Sequence, residues 1–312
     1  EGLGDEPRTF SPVDSSSAAR ASRSASQVVQ YSSSASITWS PNSNTTQCTG
    51  RTNSEVNAPQ RMRLGIGNWA SAVCTIFETL NRTGVKLSVF DLLAARFWAA
   101  EVRLRDLWNE AKVDCPIIAD FGVDPYYILQ ALAIFAARGA PSCKRGDVLN
   151  LQVDQVRTGW KPVVKGLAET LQLLRDDCGV ILPDWLPYTT ILIPAAATLA
   201  RAASVTGPAV AAVRNKLKRW FWCSVFAQSY ENAPNSQAVK DFTELNHWIE
   251  SGPPPQSVAD FKFDPEVLRQ TTPRQRALYR GVMALVLRNG ARDFHKGERI
   301  TALTAYDAPT AR

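Results

Sequence analysis

At 312 residues, with a net charge of +6 and a sequence pI near 9.1, the chain has room for two domains or for one helical domain with a tail. Hydrophobic residues make up 45% and charged residues 21%, which excludes collagen-like, disulfide-scaffold and wholly disordered chains. The positive balance is mild: it permits a nucleic-acid partner without requiring one.

Cys48, Cys74, Cys115, Cys143, Cys178 and Cys223 are scattered without a CxxC pair, and His247 and His295 are the two histidines. The usual zinc spacings are therefore missing, and the expectation is no metal site. Such thiols read as reduced, mostly small core residues of a cytoplasmic protein. No charged-then-apolar leader follows Glu1, which agrees with that localisation. The membrane candidate, Leu186 to Ala200, falls short of the roughly 20 residues a spanning helix needs, and Pro194 interrupts it. It reads as a buried helix, with no membrane partner.

Residues 1–62 are crowded with serine: Ser15–Ser17, Ser22, Ser24, Ser26, Ser32–Ser34 and Ser36. They bury too little apolar area to offset their ordering entropy. The segment reads as disordered, with one weak strand from Gln27 to Trp39, or as non-native sequence such as an out-of-frame translation. From Trp69 the pattern turns helical, with Trp69, Val73, Ile76, Phe77 and Leu80 on one face. Asn81-Arg82-Thr83-Gly84 stops that helix, and Ser88 caps a new one running to about Ala111, with Asp91 as the short acid of a capping box.

Asp114 to Pro125 reads as a loop, Tyr126 to Ala137 as a buried helix, and the stretch around Pro141, Cys143 and Gly146 as another loop. Asp154 to Asp177 is a long helix with Val156, Trp160, Val163, Val164, Leu167, Leu171 and Leu174 as its stripe and Gly179 as its stop. Leu186 to Ser204 is an apolar helix. Pro208 opens a helix reaching about Tyr230, and Ser236 to Ile249 forms the next. Pro253-Pro254-Pro255 is a stiff break, and Pro273 to Arg288 is a last helix ended by Asn289-Gly290. The fold expected is all-α, an irregular bundle of about eight helices behind the Ser-rich segment.

Candidate chemistry is sparse. Neither histidine has a Ser or Cys neighbour that suggests a nucleophile–base pair, so no catalytic residue is assigned. Arg214, Lys216, Lys218 and Arg219 precede Trp220, Phe221 and Trp222, and such a basic helix can contact phosphates. A buried aromatic stripe with a solvated charged face explains the same residues. Asn81, Arg82, Thr83, Gly84, Lys86 and Ser88 form a turn at a helix start, where an anion or nucleotide phosphate can bind; a plain helix–turn–helix connection is the other reading. Asp176-Asp177 at a helix end, and Asp241 and Glu244 on an exposed face, have no partner identifiable from sequence.

Several stretches together resemble one family. Ile76 to Leu92 is similar to the "IFE-LN-x-x-G-x-x-LS-x-x-DL" motif of GmrSD-like (DGQQR/HNH) restriction endonucleases. Leu186-Pro187-Tyr188 through Pro194 resembles that family's "LPY…P" helix, and Leu217 to Trp222 with Tyr230 its "L-x-x-WFW…Y" helix. Asn289 through Gly297 resembles the "GARDF-x-x-G" stretch that precedes its nuclease domain. The order is the family's, from about Trp69 to Ile300. The resemblance implies a ParB-like N-terminal domain whose DGQQR motif handles a nucleoside triphosphate, and a C-terminal HNH domain using a divalent metal. No Asp-Gly-Gln-Gln-Arg occurs in this sequence, and it stops about where the HNH motif should begin.

The chain is therefore expected to be a fragment of a nucleotide-regulated, modification-dependent DNA restriction (phage-defence) protein, itself lacking catalysis and holding no cofactor. Its parts are 1–62 disordered or non-native, 63–112 a remnant of the ParB-like domain, 113–300 a helical middle domain and 301–312 a tail. The partners expected are DNA and a homo-oligomeric copy. The alternative is a helical DNA-binding or protein-interaction scaffold module.

Overall fold

Ser88 starts the first described helix with a reciprocal pair of bonds. Its Oγ accepts from the Asp91 backbone N–H at 3.1 Å, and the Asp91 carboxylate accepts from the Ser88 backbone N–H at 3.2 Å. This is the capping box the sequence predicts. The computed structural model describes residues 87–98, 100–273 and 276–301. The Ser-rich segment, the strand at Gln27–Trp39, the helix at Trp69–Leu80 and the tail beyond 301 lie outside the described residues.

Helix α1 (Val89–Trp98) buries Val89, Phe90, Leu93 and Phe97. The sequence predicts one helix from Ser88 to about Ala111, but the chain breaks after Trp98. Glu101 adopts a left-handed φ of 59°, while its N–H bonds back to Trp98 O and the Val102 N–H to Phe97 O. That is a Schellman stop with glutamate where glycine is usual, and it tucks Val102 into the core. Helix α2 (Leu104–Asp114) then restarts the chain. Helix α3 (Pro116–Asp120) occupies part of the expected loop; five residues are too few to show periodicity, and Pro116 takes the first-turn position.

Helix α4 (Pro125–Phe135) is the expected buried helix, started by Asp124, whose carboxylate accepts the Tyr126 N–H at 2.7 Å. Helix α5 (Arg145–Leu149) is another short turn within an expected loop. Its end is held from α1: Arg96 donates to the carbonyls of Leu149 and Leu151, each at 2.9 Å.

Helix α6 (Val153–Cys178) matches expectation throughout its length. Every residue of the predicted stripe is buried, and Gly179 closes it at φ 75°. The apolar helix expected from Leu186 forms only from Leu192. Pro187 bars Leu186 from helical backbone, leaving it extended at ψ 116°, and 3-10 turns fill the gap before α7 (Leu192–Arg201). Helices α8 (Pro208–Phe226) and α9 (Pro234–Ile249) follow, each with proline in its first turn. After the proline break come α10 (Gln256–Ala259), α11 (Pro265–Gln270) and α12 (Arg276–Arg288).

Residues 192–200 of α7 are all buried, because α4, α6 and α9 surround it. A helix apolar on every side has to be enclosed this way. Helix α8 packs against α6, α9, α10 and α12. The described residues are thus all-α, with twelve α-helices, eight of them of ten residues or more, and only an isolated bridge between Arg292 and Arg299. No helix among them is long and apolar enough to cross a membrane.

Three glycines seat neighbours on α6. A Cβ at Gly159 would strike the Leu132 side chain of α4. One at Gly166 would strike the Ala196 carbonyl of α7, and one at Gly179 the Ala284 carbonyl of α12. At Gly166 the obstacle is backbone, so α6 and α7 touch main chain to main chain. That close approach accounts for a glycine inside a helix, where it ordinarily costs up to about 1 kcal/mol relative to alanine.

Candidate functional site

The structure distributes the sequence-predicted residues unevenly. Of the proposed anion-binding turn, Asn81, Arg82, Thr83, Gly84 and Lys86 lie outside the described residues. Ser88 is described, and its hydroxyl is engaged with Asp91, donating to the carboxylate at 2.7 Å. Asp91 also accepts from Arg105 at 2.7 Å. Burial works to raise the Asp91 carboxyl, but the bonds from Ser88 and Arg105 outweigh it and hold the group below its ordinary value.

The basic stretch on α8 divides between two sides of the helix. Arg214 and Lys218, one turn apart, converge on Asp177 at the C-terminal end of α6, at 3.2 and 3.5 Å. Asp177 therefore has two partners that the sequence does not reveal. Lys216 points the other way, donating to the Trp248 carbonyl at 2.7 Å with its ammonium 5.5 Å from the Trp248 ring centroid. That carbonyl also accepts the Ser251 N–H at 3.2 Å, so the lysine adds a charge-assisted donor at the C-terminal end of α9, where the helix dipole favours a cation. Arg219 is exposed. Trp220 and Phe221 are core, while Trp222 is half-buried.

Asp241 corrects the sequence reading most sharply. The sequence places it on an exposed face without a partner, yet it is fully buried between α8 and α9. The Tyr230 hydroxyl donates to Oδ2 at 2.6 Å and Gln237 Nε2 to Oδ1 at 2.9 Å. The Trp220 indole N–H contributes to the field that favours the charge but lies outside hydrogen-bonding geometry. Burial pushes the Asp241 carboxyl up to about 6 despite these donors. Burial and the adjacent carboxylate likewise raise Tyr230 well above its ordinary value, so it stays a donor. Glu244, also expected to be unpartnered, accepts from the Gln256 N–H at 3.0 Å.

The polar cluster extends outward from Asp241. Gln130 of α4 is buried and donates to the Cys143 carbonyl at 3.0 Å and to Asn235 at 3.3 Å. The Tyr188 ring lies 5.7 Å from that of Tyr230. Chemically the arrangement can hold one proton near neutrality, away from solvent; Tyr230 ties the turn after α8 to α9, and Gln130 ties α4 to α9. The Gln237–Asp241 spacing of four residues is readable in the sequence, whereas Tyr230 enters through the turn between α8 and α9.

Cys115, Cys143, Cys178 and Cys223 are free. Burial pushes the Cys143 thiol up to about 11 and that of Cys178 to about 12, so both are protonated core groups. His247 and His295 are exposed. In the "GARDF-x-x-G" stretch, the Asp293 carboxylate accepts the N–H groups of His295 and Lys296 at 2.8 and 2.7 Å, and Gly297 takes φ 67°. That motif builds a tight turn. Among the described residues no three His, Cys, Asp or Glu side chains gather as metal ligands.

Comparison with known proteins finds a relative in Methanocaldococcus jannaschii, itself described as uncharacterized. It is 31% identical over 246 residues, covering 73% of this chain and 40% of the relative. The chain thus spans about two-fifths of the length of the curated relative it matches. No protein-family model matches the chain, and no solved structure matches it.

Proposed function

We propose that this chain is the helical part of a nucleotide-regulated, modification-dependent DNA restriction protein similar to the GmrSD-like family. In this reading it works in the cytoplasm, contacting DNA and linking the active domains without cleaving DNA itself. The observation that supports it is the meeting of two of the family-like stretches in one junction. The Tyr188 ring of "LPY" packs tilted at 32° against Tyr230 of "WFW…Y", 5.7 Å between centroids, and Trp220 and Phe221 of the same motif are core residues. The archaeal relative extends well beyond the matched region, leaving room for further domains in such a parent. A nucleoside triphosphate and a divalent metal would belong to those domains. The described residues offer no ligand set that fits a metal, and no step is assigned to one.

DNA binding would fall to Arg219 and to the surplus positive charge of the Arg214–Lys218–Asp177 cluster. Fluorescence anisotropy with duplex DNA across a salt series tests this. Binding should weaken steeply with salt, and Arg219→Glu should flatten the salt slope by about one unit for each phosphate left without its cation. Lack of binding at about 50 mM salt would refute the DNA reading. Metal-dependent cleavage of plasmid DNA by this chain alone would refute the non-catalytic role.

A protein-interaction scaffold is the second reading. It is favoured by Trp98, 64% exposed beside a cleft between α1 and α2, with the Arg103 guanidinium 5.1 Å from its ring centroid. Indifference to DNA together with concentration-dependent self-association in sedimentation would select it.

A further inference from the structure

On the outer side of Tyr188, whose ring packs against the Asp241 cluster through Tyr230, a cleft of about 480 Å³ opens between the segment Pro187–Tyr188, the turn after α8 and the start of α12. Its polar lining is Tyr188, Gln228, Glu231, Arg276 and Arg280, with Leu278 among the apolar walls. The charges do not neutralise one another, since neither arginine comes within 4.0 Å of Glu231 in an ion pair. Arg276 is exposed and has no hydrogen-bond or ion-pair partner among the described residues.

The other groups are held in place. Arg280 is anchored by one bond from Nη1 to the Leu186 carbonyl at 3.1 Å, which leaves most of its five N–H groups available. The Tyr188 hydroxyl donates to Glu231 at 2.8 Å, and its ring is fixed against Tyr230. Glu231 thereby keeps one carboxylate oxygen open. Gln228 sits at a left-handed φ of 52°, where glycine costs least, so the rim carries an amide at some conformational expense.

We propose that this cleft binds a small hydroxylated oxyanion of the phosphate-monoester class. The arginine pair, one helical turn apart, takes the phosphate through charge-assisted bonds, and Glu231 accepts a bond from a hydroxyl of the same ligand. One carboxylate opposite two guanidiniums leaves a net charge of +1, suited to a compact anion that also donates. A polyanion lacking a donor meets repulsion from Glu231 instead. The proposal is independent of the DNA reading.

The test is calorimetric titration of the full chain with inorganic phosphate and with glycerol 3-phosphate. Glycerol 3-phosphate should bind roughly tenfold more tightly, the equivalent of one added good hydrogen bond to a charged group. Arg276→Ala, at an exposed position, should weaken both ligands about tenfold while leaving the circular dichroism melt unchanged. Glu231→Gln should remove the preference for glycerol 3-phosphate without weakening inorganic phosphate. Saturable binding untouched by Arg276→Ala overturns the proposal, as does equal affinity for the two ligands. Lack of binding up to tens of millimolar also overturns it.

Discussion

Replacing Asp241 with asparagine should change how stability depends on pH. In the native protein the carboxyl is fully buried and titrates at about 6, against 3.8 for the ordinary group. Its folded value is raised, so the native state binds the proton more tightly than the unfolded chain. The stabilisation is therefore fully present below about pH 3.8 and is lost as pH rises through about 6. A shift of roughly two units at about 1.4 kcal/mol each amounts to about 3 kcal/mol. Asparagine has nearly the same shape and no titration in this range. It also leaves one of the Tyr230 and Gln237 bonds misoriented, a fixed penalty of about 1–3 kcal/mol. Urea unfolding of both proteins at several pH values from about 3.5 to 7 separates these effects, because every other titrating group cancels in the difference. The asparagine variant should gain about 3 kcal/mol relative to the native protein across that window. A difference flat to within about 0.5 kcal/mol would show that Asp241 is not desolvated as the structure places it.

Gly166→Ala should destabilise by about 3 kcal/mol or more, since the new methyl meets the backbone of Ala196 and Ala200 rather than a side chain that can turn aside; a thermal melt within a degree or two of the native protein would refute the close approach of α6 and α7. Arg96→Met should cost about 2–3 kcal/mol in chemical denaturation, because it strips the donors from the Leu149 and Leu151 carbonyls; a cost under about 0.5 kcal/mol would show that water serves those carbonyls equally well. Glu101→Gly should stabilise by up to about 1 kcal/mol, relieving the left-handed backbone at φ 59°, and a drop in stability would mean that the glutamate side chain contributes more than its strain costs.

What is legible in the sequence is what depends on near neighbours. The Ser88–Asp91 box is a three-residue spacing, and the stripe of α6 repeats from Val156 to Leu174, so both follow from local periodicity. The stop at Glu101 is not legible, because a glutamate in a left-handed position is fixed by the burial of Val102. Asp241 reads as surface because Lys240, Thr243 and Glu244 flank it, and only the pairing of α8 with α9 encloses it against Trp220 and Tyr230. The basic stretch on α8 looks like a continuous face because Asp177 lies 37 residues upstream of Arg214. Spacing along one helix cannot report a partner on another.

The three glycines of α6 carry a mechanical consequence. Wherever a side chain separates two helices, the gap can be retuned by exchanging one side chain for another. At Gly166 nothing remains to exchange, so the separation between α6 and α7 is set by the backbone alone. At about 1.5 Å per residue, the 26 residues of α6 form a rod of about 39 Å. With α4 seated at Gly159, α7 at Gly166 and α12 at Gly179, that rod works as a ruler with cut graduations.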